Sequence, residues 1–412
     1  MNSKPGYIIL IALVLATGCL WGQSKKKSSL SSENVAYVYD PIAPVQLDAR
    51  VAMSDGQEAT VFLRVTNRLS GEAPTLRYAV QSDYLTSSVL DSGQVAASQL
   101  VKQEDQQFYY RFTLPITEQS HFLFVTVVPS SAQPNERYRF DVTLNSEQNF
   151  PLTDLLMMRP DEDLPIFQDY LSAGDPFRLV SYYGNDSTVY LYYYGYNFEP
   201  NPPPMSTGGS ETQPSLTIDS LFAVPLNEAL RLEQQGLYFV QLDTTSLYGT
   251  SFRIEDQYYP RLARVETIVP TLRYISTSDE MSKLETAEAP KRSLDDYWVK
   301  VARSQERAKD IIRNYFRQVT RANQLFTSYK EGWKTGPGMV YTLYGPPDGV
   351  YRDADKETWI YNEDRNLVDL SFTFVKVKNI FTHQYYNLVR DEAYKRFWYR
   401  NVDLWRKGRK EI

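Results

Sequence analysis

From Val45 to about Leu144 the chain alternates apolar and polar positions with a period of two. Val61, Leu63 and Val65 share one face, as do Phe108, Tyr110, Phe112 and Leu114, and again Tyr138, Phe140, Val142 and Leu144. Such alternation, broken by turn residues at Ser54-Asp55-Gly56 and Pro129–Asn135, predicts half-buried antiparallel strands. About seven short strands in about 100 residues predict an immunoglobulin-like β-sandwich. A second β region runs from about Asp154 to Val269, with strands predicted over Phe177–Tyr183, Thr188–Tyr196, Leu237–Leu242 and Thr250–Ile254. Pro200–Pro214, rich in proline and glycine, reads as an exposed loop between them. Met281–Arg292 reads as a short helix or linker. The period then changes. Ser293-Leu294-Asp295-Asp296 is a helix start, and Ile311, Tyr315, Val319, Ala322 and Phe326 give one apolar face of a long helix ending near Tyr329. Met339–Tyr344 is predicted as a strand, Gly345–Gly349 as a turn, and Thr358–Tyr361 and Leu367–Val377 as further strands. A terminal helix is predicted over Gln384–Lys407.

The expected fold is therefore multidomain and mainly β. Two immunoglobulin-like sandwich regions (37–150 and 151–278) precede a linker (279–292) and an α+β domain (293–412) built of a long helix, antiparallel hairpins and a terminal helix. Composition supports this, since 32 tyrosines favour strands. Charge divides the chain in two. Residues 20–292 carry a net −13 and residues 293–412 a net +6. A basic rear half fits an anionic partner, and it fits equally an ordinary surface or docking onto the acidic front half.

Tyr190, Tyr192, Tyr194 and Tyr196 fall on one face of a strand, because side chains at i and i+2 point the same way. They form either a stacking platform for a sugar or partner, or a sandwich face. Arg313, Arg317 and Arg321 form a stripe at spacing four, which either grips acidic groups or is simply solvated. No catalytic constellation emerges. His121 and His383 are the only histidines, and neither lies in a metal-ligand pattern such as H-E-x-x-H. There is no G-x-S-x-G elbow and no glycine-rich phosphate loop. Neither cofactor nor metal is expected. Fifty acidic residues still leave room for a carboxylate pair of the kind glycosidases use.

The first 18 residues have a charged start (Lys4), an apolar core and the small residues Ala16-Thr17-Gly18, the layout of a signal peptide. Cys19 follows, the only cysteine in the chain. It is either a thiol discarded with the leader or an acylated first residue, and the sequence around it resembles a bacterial lipobox. Residues 19–36 then read as a lipidated cysteine and a polar tether (Ser24-Lys25-Lys26-Lys27-Ser28). Leu20 stands where enteric inner-membrane lipoproteins carry aspartate, which implies the outer membrane. The lysines that follow differ from the acidic patch of surface-exported lipoproteins, which implies the periplasmic face.

Gly332-Trp333-Lys334-Thr335-Gly336, with Tyr344-Gly345-Pro346-Pro347-Asp348 and Trp359-Ile360-Tyr361, resembles the signature of the GWxTD-domain proteins, exported proteins of Bacteroidetes and related phyla. The resemblance spans Ser293 to about Trp405. Gly336 stands where the family pattern has aspartate. The resemblance implies no activity, and the motif reads as structural, with Trp333 plugging a junction and Thr335 and Asp348 tying turns. Together these readings give a non-catalytic lipid-anchored scaffold of an envelope assembly. The alternatives are a glycan or peptidoglycan binder using the tyrosine-rich sandwich, and a hydrolase with an unfamiliar carboxylate site. Export makes nucleic acid an unsuitable partner.

Overall fold

The computed structural model describes residues 29–53, 57–130, 136–144, 155–182, 187–206, 216–245, 249–362, 370–382 and 384–410. Cys19, most of the tether, the rear of the proline- and glycine-rich segment (207–215) and His383 lie outside these residues.

The period-two segments form eight strands: β1 (Val45–Met53), β2 (Glu58–Asn67), β3 (Thr75–Gln81), β4 (Val89–Gln94), β5 (Leu100–Glu104), β6 (Gln107–Pro115), β7 (Phe122–Val128) and β8 (Tyr138–Thr143). They build two antiparallel sheets, β1-β2-β6-β5 and β4-β3-β7-β8. In chain order this is A-B-E-D facing C′-C-F-G, the strand order of an immunoglobulin-type sandwich. The alternating residues do the joining. Val61, Leu63, Phe112, Leu123 and Phe140 meet in one core between the sheets.

The second module holds β9 (Leu155–Met158), β10 (Tyr170–Ser172), β11 (Arg178–Ser181), β12 (Thr188–Tyr194), β13 (Ser220–Pro225), β14 (Gly236–Gln241) and β15 (Thr250–Glu255). Its main sheet has the order β10-β15-β14-β12-β13, with β9 and β11 pairing separately. All four residues of β9 are buried. Leu155 and Met157 face the core of this module. Leu156 and Met158 face Ala52, Phe62 and Tyr109 of the first sandwich. One strand thus closes two cores.

The C-terminal part is helical and sheet-like by turns: α1 (Val265–Ile268), a 3-10 turn (Val269–Tyr274), α2 (Ser278–Glu285), α3 (Pro290–Ala302), α4 (Gln305–Phe326), α5 (Gly336–Tyr344), β16 (Gly349–Arg352), β17 (Lys356–Tyr361), β18 (Leu370–Lys376), β19 (Tyr386–Leu388) and α6 (Tyr394–Arg406). The four strands make one antiparallel sheet in chain order. No helix among the described residues is long and apolar enough to cross a membrane.

Several sequence expectations are corrected here. The single long helix is two. The first begins at Pro290, three residues before Ser293, because proline is pre-organised for the first helical turn. It stops at Arg303, which is left-handed (φ 58°), and Ser304 caps α4. Met339–Tyr344 is helix, not strand. The expected terminal helix over 384–407 begins as strand β19, and only Tyr394–Arg406 is helical. Helical packing already starts at Val265, inside the region read as a second sandwich. The tether ends earlier than residue 36. Val35 is buried in the C-terminal core, where its N–H donates to the Val350 carbonyl (2.9 Å). The proline segment is anchored at its start, since Asn201 is buried and Arg390 donates to the carbonyls of Pro202 and Pro203 (both 2.8 Å).

Arg406 clamps the end of α6 to α2. Its guanidinium donates to both oxygens of Glu280 (2.9 Å each) and to the Ile275 carbonyl (2.9 Å). These hydrogen bonds outweigh burial and hold the Glu280 carboxyl at about 2, against an ordinary 4.5. A carboxylate depressed by folding stabilises fully above its unfolded value and loses that contribution as pH falls through its folded value. The stability gap between wild type and Glu280→Gln is therefore expected to be constant above pH about 5 and to shrink between pH about 4.5 and 2. Urea titrations at pH 7, 4 and 2.5 check this, and a gap that widens in acid would contradict it.

Candidate functional site

The Gly-Trp-Lys-Thr segment folds as it does because the end of α4 supplies its hydrogen bonds. Fully buried Asn323 accepts the Trp333 N–H on Oδ1 (3.1 Å) and donates to the Pro260 carbonyl (3.0 Å). Thr327 accepts the Gly332 N–H (3.1 Å) and pairs with the Tyr259 hydroxyl. Thr335 caps α5: its Oγ1 accepts the Gly338 N–H (3.0 Å) and donates to the Gly332 carbonyl (2.8 Å). The glycines are required by close approach. A Cβ on Gly332 would stand 2.1 Å from the Ala322 carbonyl oxygen, and one on Gly338 would stand 1.8 Å from the Gly332 oxygen. Gly336 differs. It lies in the first turn of α5 without a left-handed backbone, and a Cβ there would meet the Asn201 amide nitrogen at 3.1 Å. Trp333 is 3% exposed and packs edge-on to Tyr274. Tyr344 is buried against Tyr361, Phe372 and Trp398. Gly345 takes φ 82° to end α5, a region open to glycine. In the turn that follows, Pro347 is buried and Pro346 half-buried, and the exposed Asp348 accepts the Asn362 N–H (2.8 Å).

A buried ionic cluster joins this motif to the second module. Arg253 on β15 pairs with Glu255 (2.5 Å), donates to the Tyr329 carbonyl (3.0 Å) and lies 3.8 Å from Glu331. Lys334 pairs with Glu331 (2.9 Å) and donates to Asn197 (2.5 Å). Lys330, 2% exposed, donates to Asn201 Oδ1 (2.8 Å). Burial alone would raise the Glu331 carboxyl, but the charges of Arg253 and Lys334 outweigh it and hold it at about 2. For Glu255 burial wins, and its carboxyl is raised. Sequence reading missed this cluster. Its one local signal was two charged residues, 253 and 255, on the same face of a strand that otherwise reads as core.

The tyrosine row is a seam, not an open surface. Tyr192 and Tyr194 are 8% and 7% exposed, and Tyr190 and Tyr196 are half-buried around them. The covering groups come from the C-terminal part: Phe381 lies against Tyr194 and Phe239 (5.5 Å between ring centres), and Tyr329 against Phe198 (5.0 Å). The arginine stripe divides. Arg313 is exposed beside Asp310 (3.2 Å) and Arg317 is exposed, whereas Arg321 lines a cleft.

That cleft, of about 610 Å³, opens where the three parts of the chain meet. Arg50, Arg64 and Arg68 line it from the first sandwich, Tyr170 from the second module, and Arg321 and Arg352 from the C-terminal part. Thr335 and Pro337 of the motif form part of its wall. Among the described residues there is no group of three or more side chains arranged to hold a metal ion.

No curated protein matches this chain. The family comparison reaches further back than Ser293, to Gly236 at the start of β14. The geometry gives a reason, because β15 supplies the arginine that ties the motif down. Residues 236–407 match the family model of the GWxTD domain.

Proposed function

We propose that the protein is a non-catalytic envelope lipoprotein, held by acyl chains on Cys19 at the periplasmic face of the outer membrane, whose folded body scaffolds a protein assembly. One observation carries the non-catalytic part. The polar atoms of the motif are turned inward: Asn323, Thr327 and Thr335 are spent on backbone groups of the motif itself. The two carboxylates of the ionic cluster, Glu255 and Glu331, are spent on Arg253 and Lys334. A glycan-stacking role for the tyrosine row is disfavoured by the rings that cover it. The apolar run before Cys19 and the lysine-rich tether after it support the anchor.

Buried methylenes supply the membrane affinity at about 0.8 kcal/mol each. Cys19→Ser is therefore expected to move the protein from the outer-membrane fraction to the soluble periplasm. Fractionation before and after a high-salt wash checks it, and a Ser variant that sediments with outer membranes after the wash would overturn the lipid anchor. Crosslinking in intact cells followed by pull-down tests the scaffold, which predicts a recurrent envelope protein partner.

A further inference from the structure

We propose that the cleft between the three parts of the chain is a binding site for a small organic anion, held through a carboxylate or phosphate by Arg321 and Arg68. The argument starts from charge. Five arginines and four carboxylates line the cleft. Each carboxylate is already matched: Asp48 with Arg64 (2.9 Å), Asp169 with Arg50 (2.6 Å), and Asp141 and Glu357 both with Arg352 (2.8 and 2.6 Å). Two guanidiniums remain without a carboxylate. Arg68 is exposed and donates only to neutral acceptors, the Ala43 carbonyl (2.5 Å) and Gln46 Oε1 (2.9 Å). Arg321 is half-buried and makes no hydrogen bond or ion pair among the described residues.

A guanidinium that is partly withdrawn from water without a partner costs free energy. Its neighbours on the same stripe avoid this cost by facing solvent, as Arg313 does. Only Arg321 is turned to the cleft, and the guanidinium is the side chain best shaped to grip a carboxylate or phosphate. The size fits too, since small-molecule sites commonly span about 300–1,000 Å³. The cleft carries a local excess of positive charge in a chain of net −6, so it concentrates anions against the protein's overall field. Tyr39, Phe326 and Tyr385 add ring surface for the body of the ligand.

The test is isothermal titration of the whole folded chain with glucuronate, citrate, glucose 6-phosphate and neutral glucose. Saturable binding is expected for at least one anion and not for glucose, and the preferred anion tells carboxylate from phosphate. Binding should weaken as salt rises. Arg321→Gln should weaken it by about tenfold or more, the usual worth of a hydrogen bond to a charged group. Arg68→Gln should weaken it less, because Arg68 keeps other acceptors, and Arg313→Gln should leave it unchanged. Arg321 lies outside the core, so unaltered thermal melting of the variant separates lost binding from lost folding. Absence of binding by all three anions, or equal binding by wild type and Arg321→Gln, would overturn the proposal.

Discussion

Trp333→Ala is expected to cost about 3–5 kcal/mol of stability, the range for a buried large aromatic replaced by alanine. Trp333 belongs to the largest core of the protein, together with Tyr274, Met339 and Trp398. Its backbone N–H is held by Asn323 whatever the side chain, so the substitution leaves the turn tied and empties the space beside it. The rigid ends of α4 and α5 flank that space, which limits collapse and keeps the cost high. Trp333→Phe should retain more than half of the lost stability. Urea denaturation followed by circular dichroism measures both. A midpoint unchanged by Trp333→Ala would mean that the ring is a contact surface for a partner rather than part of the core.

Gly338→Ala is expected to be as damaging, for a different reason. The added methyl would stand 1.8 Å from a carbonyl oxygen, and the obstacle is backbone, which no rotamer change can move aside. Overfilling a packed site usually costs about 1–3 kcal/mol, and a backbone clash belongs at or above the top of that range. Gly332→Ala meets the same kind of obstacle at 2.1 Å. Gly336→Asp is the informative contrast. Its nearest obstacle is the end of the Asn201 side chain, and an acid in the first turn of a helix is favoured by about 0.3–1 kcal/mol. Restoring the aspartate of the GWxTD pattern should therefore change stability by less than about 1 kcal/mol. Thermal melts of the three variants decide the matter, and a Gly336→Asp loss as large as that of Gly338→Ala would contradict this account of the turn.

Legibility in the sequence followed solvent. The first sandwich could be read strand by strand because alternate residues of its main strands, such as Val61, Leu63 and Val65 or Phe108, Tyr110 and Phe112, pack between the two sheets, so the period of two survives in the residues. Helix α5 could not. Eight of its nine residues are buried, so no polar face marks a period, and a run of Val, Tyr, Thr and Leu then looks like a strand. The start signal was present all the same: Thr335 as cap with Pro337 in the first turn. The break at Arg303 was hidden because the left-handed residue is neither glycine nor asparagine. The ionic cluster was illegible for a further reason. Arg253 and Glu331 are 78 positions apart, and only the packing of β15 against the motif brings them together. The same holds for the tyrosine row. Its alternation was plain, but what covers it comes from a segment almost 190 residues later, at Phe381.

The placement of residues 29–35 decides where a mechanical load from the N-terminal side would enter the molecule. Asn34 bonds the Val350 N–H (2.9 Å) and the Asp348 carbonyl (3.1 Å), and Tyr39 lies against Trp359 and Phe326. Before that, Ser29 and Leu30 bridge to Leu85 and Tyr84, Leu30 packs on Tyr84, Phe122 and Phe124, and Glu33 pairs with Arg139, so the segment is fastened to the first sandwich and then to the last part of the chain before it enters β1. A pull from the N-terminal side would therefore be shared between the first sandwich, through the turn after β3 and strand β8, and the turn after α5 with the edge strand β16. One seven-residue segment, 29–35, thus staples the first sandwich to the C-terminal part, and neither could be loaded through it without the other.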